Sequence, residues 1–268
     1  MKLRVPGDKA VSHRAAILLA LSRKGGRVLN FSPARDCAAT LHVLRALGAS
    51  IRKEKGTGAL VFDGGGWESL KPPARVLGCA NSGSTMRMMA GVLAGCPFES
   101  RLTGDLSLRR RPMDRVAKPL RALGAVVDAG PPLKIRGGVL RGILYASTLS
   151  SAQVKPAVLL AGLRAEGRTT VMERLPSRDH TERLLLHLGV GVRTQKGSVS
   201  VEGGASWPGR DLEIPGDPSS AAFLLVQAAL RGKAGAVEVE GLCLNPARLG
   251  FLAVLRRMGA RVSVRRTG

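Results

Sequence analysis

Four segments of the chain repeat one pattern, and that recurrence limits what it can fold into. LHVLRALGASI (41–51), AKPLRALGAVV (117–127), ERLLLHLGVGV (182–192) and LAVLRRMGARV (252–262) each place apolar residues at helical spacing, then Leu-Gly, Met-Gly or its equivalent, then a β-branched run. A glycine just past a helix fits the position where the backbone needs positive φ. The four glycines are Gly48, Gly124, Gly189 and Gly259, spaced 76, 65 and 70 residues apart. A second apolar helix precedes each one: SHRAAILLALS (12–22), SGSTMRMMAGVLAG (82–95), SAQVKPAVLLAGL (151–163) and PSSAAFLLVQAAL (218–230). Each has serine at its head, where serine is expected to cap the helix. Strand-like runs follow, RVLNF, SRLTG, RTTVM and AVEVEG, and further strands are expected at ALVFDG (59–64) and SVSVEGG (198–204). Such a period is too long for the common solenoids. It points to repeated α/β subdomains, each burying its helices against a small sheet.

Composition narrows the partners. The formal net charge is +23, which suits phosphorylated substrates, nucleic acid or acidic lipid. The basic residues are scattered, the longest run being Arg109-Arg110-Arg111, and aromatics make up only 3% of the chain. Readers of single-stranded nucleic acid stack bases on aromatic side chains, so nucleic acid is not the expected partner. Cys37, Cys79, Cys96 and Cys243 form no CxxC pair and none sits at metal-ligand spacing from a histidine. They read as free thiols of a reducing compartment, with no metal site expected. No apolar run approaches the ~20 residues of a membrane helix, and no signal-peptide core precedes the first motif. The expectation is a soluble cytoplasmic protein, with 268 residues sufficing for one large or two ordinary domains.

Polar and cationic groups gather at the helix entries. In PGDKAVSHRA (6–15), Lys9 precedes the first helix, Ser12 is its expected cap and Arg14 lies just inside. Cations at a helix start oppose its dipole unless an anion sits there. NSGSTMR (81–87) offers small polar groups, Gly83 for close backbone approach and Arg87 one turn on, without the Lys-Ser/Thr of a Walker loop. GDLSLRRRPMDR (104–115) presents Arg111 in an arginine fork suited to carboxylate or phosphate. SSAQVK (150–155) brings Ser151 and Gln153, and PSRDHTER (176–183) brings Ser177 and Arg178. His180 could serve as a base, but the preferred reading is a surface histidine beside Glu182. Converging helix N-termini would form an anion-binding floor.

PGDK-x-x-SHRA, NSGSTMR, LSLRRRPM, SAQVK and SRDHTE, in this order and spacing, resemble the 3-phosphoshikimate 1-carboxyvinyltransferase (EPSP synthase) family over nearly the whole chain. The resemblance implies an α/β (α+β) fold of repeated βαβαββ units, the enolpyruvyl-transferase inside-out barrel. Residues 1–213 would hold three units of a first domain and residues 214–268 one unit of a second. The implied reaction transfers enolpyruvyl from phosphoenolpyruvate to the 5-hydroxyl of shikimate 3-phosphate, releasing phosphate through a tetrahedral intermediate, with no cofactor or metal. The family is usually monomeric. Lys9 matches the lysine that touches both substrates and is the candidate catalytic group. Arg14, Ser151, Gln153, Ser177 and Arg178 match shikimate 3-phosphate ligands. Gly83, Arg87, Arg111 and Gln153 match the phosphoenolpyruvate site.

The chain departs from the family pattern in two ways. Position 10 is Ala, where the family usually has a serine that donates to the substrate phosphate. The family also has six units, and truncation at both ends is expected: the chain stops at Gly268 and starts only eight residues before Lys9, without the family's N-terminal segment that joins the second domain. The remainder would carry the family's catalytic Asp, a Glu and further cationic ligands. A fragment is therefore expected, binding substrate weakly and not turning over alone, with an exposed apolar face on its fourth unit. Two rivals share the repeat. One is the UDP-N-acetylglucosamine enolpyruvyl transferase, which normally carries a catalytic Cys where this chain has LSLRRRPMD. The other is an RNA-binding or RNA-cyclase-like protein, which the charge would suit.

Overall fold

The computed structural model describes residues 1–148 and 150–266. Strand β1 (Lys2–Arg4) opens the chain, followed by α1 (Lys9–Ala20), β2 (Gly26–Leu29), α2 (Arg35–Ala46), β3 (Ile51–Lys53) and β4 (Leu60–Phe62). Next come β5 (Leu77–Gly78), α3 (Gly83–Ala94), β6 (Glu99–Thr103), α4 (Leu106–Arg109), α5 (Asp114–Ala122), β7 (Val126–Asp128) and β8 (Leu133–Arg136). Then follow β9 (Leu144–Ser147), α6 (Val154–Gly162), β10 (Arg168–Glu173), α7 (His180–His187), β11 (Val192–Gln195), β12 (Ser198–Glu202) and β13 (Leu212–Glu213). The last elements are α8 (Pro218–Leu230), β14 (Glu238–Glu240) and α9 (Gly250–Arg257).

The strands form three four-stranded sheets, ordered β13-β2-β4-β3, β5-β6-β8-β7 and β9-β10-β12-β11. All three pair in the same way: the first two strands are parallel and the next two pairings antiparallel. The first sheet takes its leading strand, β13, from far down the chain. The fourth sheet is the parallel pair β1-β14, so the N-terminal strand belongs with the last segment.

Helix burial explains the sequence pattern. The Ala-, Leu- and Met-rich helices α1, α3 and α6 lie inside, with Ile17, Leu18, Leu19, Met89, Leu93, Val158 and Leu159 fully buried. The amphipathic α2, α5 and α7 bury one face each. All four helix-terminating glycines have positive φ: 94° at Gly48, 111° at Gly124, 82° at Gly189 and 92° at Gly259. After Gly259, however, residues 260–266 form no strand. The chain end at Gly268 lies outside the described residues. No helix among the described residues is long and apolar enough to cross a membrane.

Helix capping differs from the serine expectation. Asp8 caps α1 and Asp217 caps α8, while Ser12 is buried inside α1 and accepts from the Ser32 backbone N–H at 3.0 Å. Ser82 does cap α3, and Ser151 accepts from the Gln153 and Val154 N–H groups at the head of α6. The two capping aspartates belong to a repeated tripeptide, Pro-Gly-Asp at 6–8 and 215–217. These segments exchange backbone hydrogen bonds, Asp8 N to Pro215 O at 2.7 Å and Asp217 N to Pro6 O at 2.9 Å. They tie the last segment to the first helix.

Candidate functional site

The heads of α1, α3 and α6 meet the loop between β10 and α7 around one open cavity of about 490 Å³. Its wall includes Ala10, Arg14, Ser84, Ser151, Gln153, Ser177 and Arg178. Five of these are expected anion ligands, drawn from three segments of the chain.

Arg14 is buried at 5% exposure. Three of the guanidinium's five N–H groups are committed: Nε to Thr181 Oγ1 at 2.7 Å, Nη1 to Ala10 O at 2.7 Å and Nη2 to Ala152 O at 2.8 Å. Burial pushes its pKa down to about 10, with Glu182 and Asp8 pulling the other way. It therefore stays charged at neutral pH. Arg178 is exposed, and partial burial with Arg248 nearby lowers its pKa.

A second group adjoins the cavity. Gly83 opens α3, and a Cβ there would lie 2.8 Å from Arg87 Nη1 and 3.2 Å from Arg111 Nη1. The two guanidiniums thus converge where the backbone carries no side chain. Arg111 is held by Asn81. Arg87 donates to Gln153 Oε1 at 2.6 Å, and Gln153 Nε2 donates to Ser84 Oγ at 2.9 Å. Burial, then Arg111 and Arg115, lower the Arg87 pKa. Gln153 therefore joins the arginine pair to the cavity wall. Lys9 is not among the residues lining the cavity, although its neighbour Ala10 is; its ammonium pairs with Asp36.

Sequence reading missed several groups that hold this site. Asp36 sits in the first turn of α2 opposite Lys9. Lys155 is buried with Glu173 and Glu182. Arg248 binds both capping aspartates, and Asn245 Nδ2 donates to Asp179 Oδ1 at 2.7 Å. Lys155 lies within SAQVK, and the repeated Pro-Gly-Asp was a further available signal. His180 is corrected: it is 5% exposed rather than a surface residue, because α7 turns it against Asn245. Burial, then Arg14 and Arg248, push its pKa down to about 4.

The cysteines are all buried free thiols, and burial raises Cys37, Cys79 and Cys96 to about 12. Cys243 comes together in space with His180 and Asp8, their ligand atoms within 4.8 Å of one another, a proximity that sequence spacing did not show. Both Asp8 oxygens are already engaged, Oδ1 by the Val11 N–H and Oδ2 by Arg248. That engagement does not favour a cation there.

The family model for EPSP synthase (3-phosphoshikimate 1-carboxyvinyltransferase) matches residues 1–268. A 3-phosphoshikimate 1-carboxyvinyltransferase of Halorhodospira halophila is 48% identical over 97% of this chain and 60% of its own length. One from Bacillus pumilus is 46% identical, over 98% and 62%. The solved EPSP synthase of Acinetobacter baumannii superposes with a TM-score of 0.89 at 43% identity, over 97% of this chain and 59% of that one. The chain thus spans about 60% of the length of the relatives it matches.

Proposed function

The chain belongs to the EPSP synthase (3-phosphoshikimate 1-carboxyvinyltransferase) family, and on that premise we propose that it holds shikimate 3-phosphate in the cavity and phosphoenolpyruvate against Gly83, Arg87 and Arg111. The reaction served is enolpyruvyl transfer to the 5-hydroxyl with release of phosphate. The observation that carries this reading is the convergence of Arg14, Ser151, Gln153, Ser177 and Arg178 on one cavity.

The chemistry suits that division. Both substrates are anions, and charge-assisted hydrogen bonds to guanidinium are the strong kind. Arg14 and Arg178 would face the phosphate of shikimate 3-phosphate. Arg87 and Arg111 would face phosphoenolpyruvate, with Gln153 touching both. In the addition step the 5-hydroxyl loses a proton as its oxygen bonds to the enolpyruvyl carbon, and the methylene carbon gains one. Elimination then returns the methylene and expels phosphate. Each step needs a general acid or base. Lys9, steadied by Asp36, is the group of this chain proposed for that work.

The finer architecture is part of the same reading: three βαβαββ units over 1–213 in an inside-out barrel, and a fourth over 214–268. The shared pairing pattern of the three sheets supports it. So is a cytoplasmic, monomeric protein, in keeping with its four free thiols.

Calorimetric titration with shikimate 3-phosphate at moderate salt tests the function. Saturable binding, lost in Lys9→Ala and Arg178→Ala, is expected. Absence of binding by the folded chain would overturn it.

A further inference from the structure

Helix α6 carries Ser151 and Gln153 at its head and, two residues on, a lysine that is almost wholly enclosed. Lys155 Nζ lies 2.9 Å from Glu173 Oε2 and 2.7 Å from Glu182 Oε1, and all three side chains are 5–6% exposed. Burying ions in this way is costly, and apolar residues of similar volume stabilise as well or better. Stability alone does not account for the cluster.

Its geometry does. Glu173 ends β10, and residues 174–179 then run without regular structure to the start of α7. This loop carries Ser177 and Arg178 to the cavity. The Ser177 N–H donates to Glu173 Oε2 at 3.0 Å, and Lys155 Nζ donates to Ser177 O at 3.4 Å. Both backbone groups of Ser177 are thus held by the ion cluster. Arg14, which lines the cavity, donates through Nε to Thr181 Oγ1, next in the chain to Glu182. The Ser177 hydroxyl is buried with no partner among the described residues.

We propose that Lys155 and Glu173 are positioning residues that fix the Ser177–Arg178 loop for the phosphate of the substrate. This rests on the reading that the cavity takes a phosphorylated ligand. It assigns the cluster a role in ligand recognition without contact to the ligand.

The test compares Glu173→Gln, Lys155→Met and the charge-preserving Glu173→Asp and Lys155→Arg. Amide hydrogen exchange is read at Ser177 and Arg178, and calorimetry is run with shikimate 3-phosphate and with unphosphorylated shikimate. In the neutral variants, exchange at Ser177 and Arg178 rises at least tenfold while that of α3 is unchanged. Affinity for shikimate 3-phosphate falls about tenfold, the scale of one lost charged hydrogen bond, and affinity for shikimate is unaltered. The charge-preserving variants recover part of the loss and stand in if the neutral ones fail to fold. Unchanged exchange at Ser177, or an equal loss for both ligands, overturns the proposal. If the unaltered chain binds no shikimate 3-phosphate, the functional reading fails, and the exchange arm still decides whether the clamp exists.

Discussion

Asp8 and Asp217 share one arginine. Arg248 Nη1 lies 3.0 Å from Asp8 Oδ2 and Nη2 lies 2.8 Å from Asp217 Oδ1, with the arginine side chain 7% exposed. Each aspartate also caps a helix, α1 and α8 respectively. The burial of Asp8 pushes its carboxyl pKa up, and Arg248 pulls it back. Removing one partner of a buried ion cluster leaves uncompensated charge, at a cost of about 3–5 kcal/mol.

Arg248→Leu is therefore expected to lower unfolding free energy by about that amount, measured by urea titration. The triple variant Asp8→Asn/Asp217→Asn/Arg248→Leu should recover much of the loss, since the charges leave together. If the single and triple variants were equally unstable, the cost would lie in packing and not in stranded charge.

Two buried histidines give the fold an acid limit. Burial pushes the His13 pKa down to about 3 and that of His180 to about 4, from an ordinary 6.5. A depressed folded-state pKa means that the unfolded chain binds the proton more readily. The stability from each neutral ring is present above 6.5 and is lost as pH falls toward the folded value. Unfolding free energy should drop by about 1.4 kcal/mol per pH unit for each histidine in that window. Urea midpoints measured from neutral pH down to about pH 4 should show that slope, and His13→Asn should reduce it. A flat profile would show both rings to be accessible to protons in the folded state.

Much of this was legible in the sequence, for physical reasons that can be named. Gly48, Gly124, Gly189 and Gly259 reported positive φ because few other residues adopt it cheaply. Runs such as RTTVM became β10 because their alternation matched a half-buried strand. The expected ligands Ser151, Gln153, Ser177 and Arg178 did reach one cavity. The failures came where tertiary partners decide. Asp8 and not Ser12 is the cap of α1, and the sequence does not show that the same carboxylate also meets Arg248, some 240 residues away. His180 was placed on the surface because nothing local reveals that Asn245 covers it. Lys155 resembled an ordinary helix cation until Glu173 and Glu182 were brought around it.

The α3–α6 contact depends on the absence of one methyl group. A Cβ at Gly91 would lie 2.1 Å from Ala157 O and 2.7 Å from its carbonyl carbon and Cα, all backbone atoms that cannot swing away. Gly→Ala inside a helix ordinarily gains about 1 kcal/mol. Here overpacking should reverse the sign, for a net loss of about 1–3 kcal/mol and a lower thermal midpoint. Gly250→Ala, at the head of α9 with nothing within 4 Å of the added carbon, should be neutral or slightly stabilising. Equal behaviour of the two variants would mean that α3 and α6 do not cross this closely.

The alanine at position 10 offers a gain-of-function test of the cavity. Ala10 is part-buried on the cavity wall, and its carbonyl accepts from Arg14 Nη1 at 2.7 Å. The residue's backbone is thus held beside the cation proposed for the phosphate, while its methyl offers the ligand nothing. The family motif usually has serine here, and a hydroxyl on this backbone adds one donor toward an anion in the cavity. A net hydrogen bond is worth about 1 kcal/mol, or roughly a fivefold change in affinity. Ala10→Ser should therefore tighten shikimate 3-phosphate binding by about that factor, read by calorimetry, and leave shikimate binding unchanged, because the new donor meets only the phosphate. Arg178→Ala in the Ala10→Ser background should weaken binding as much as it does in the original chain if the two groups act independently on that phosphate. No tightening in a folded Ala10→Ser variant would place the phosphate away from the head of α1, and the assignment of Arg14 to it would fall with that result.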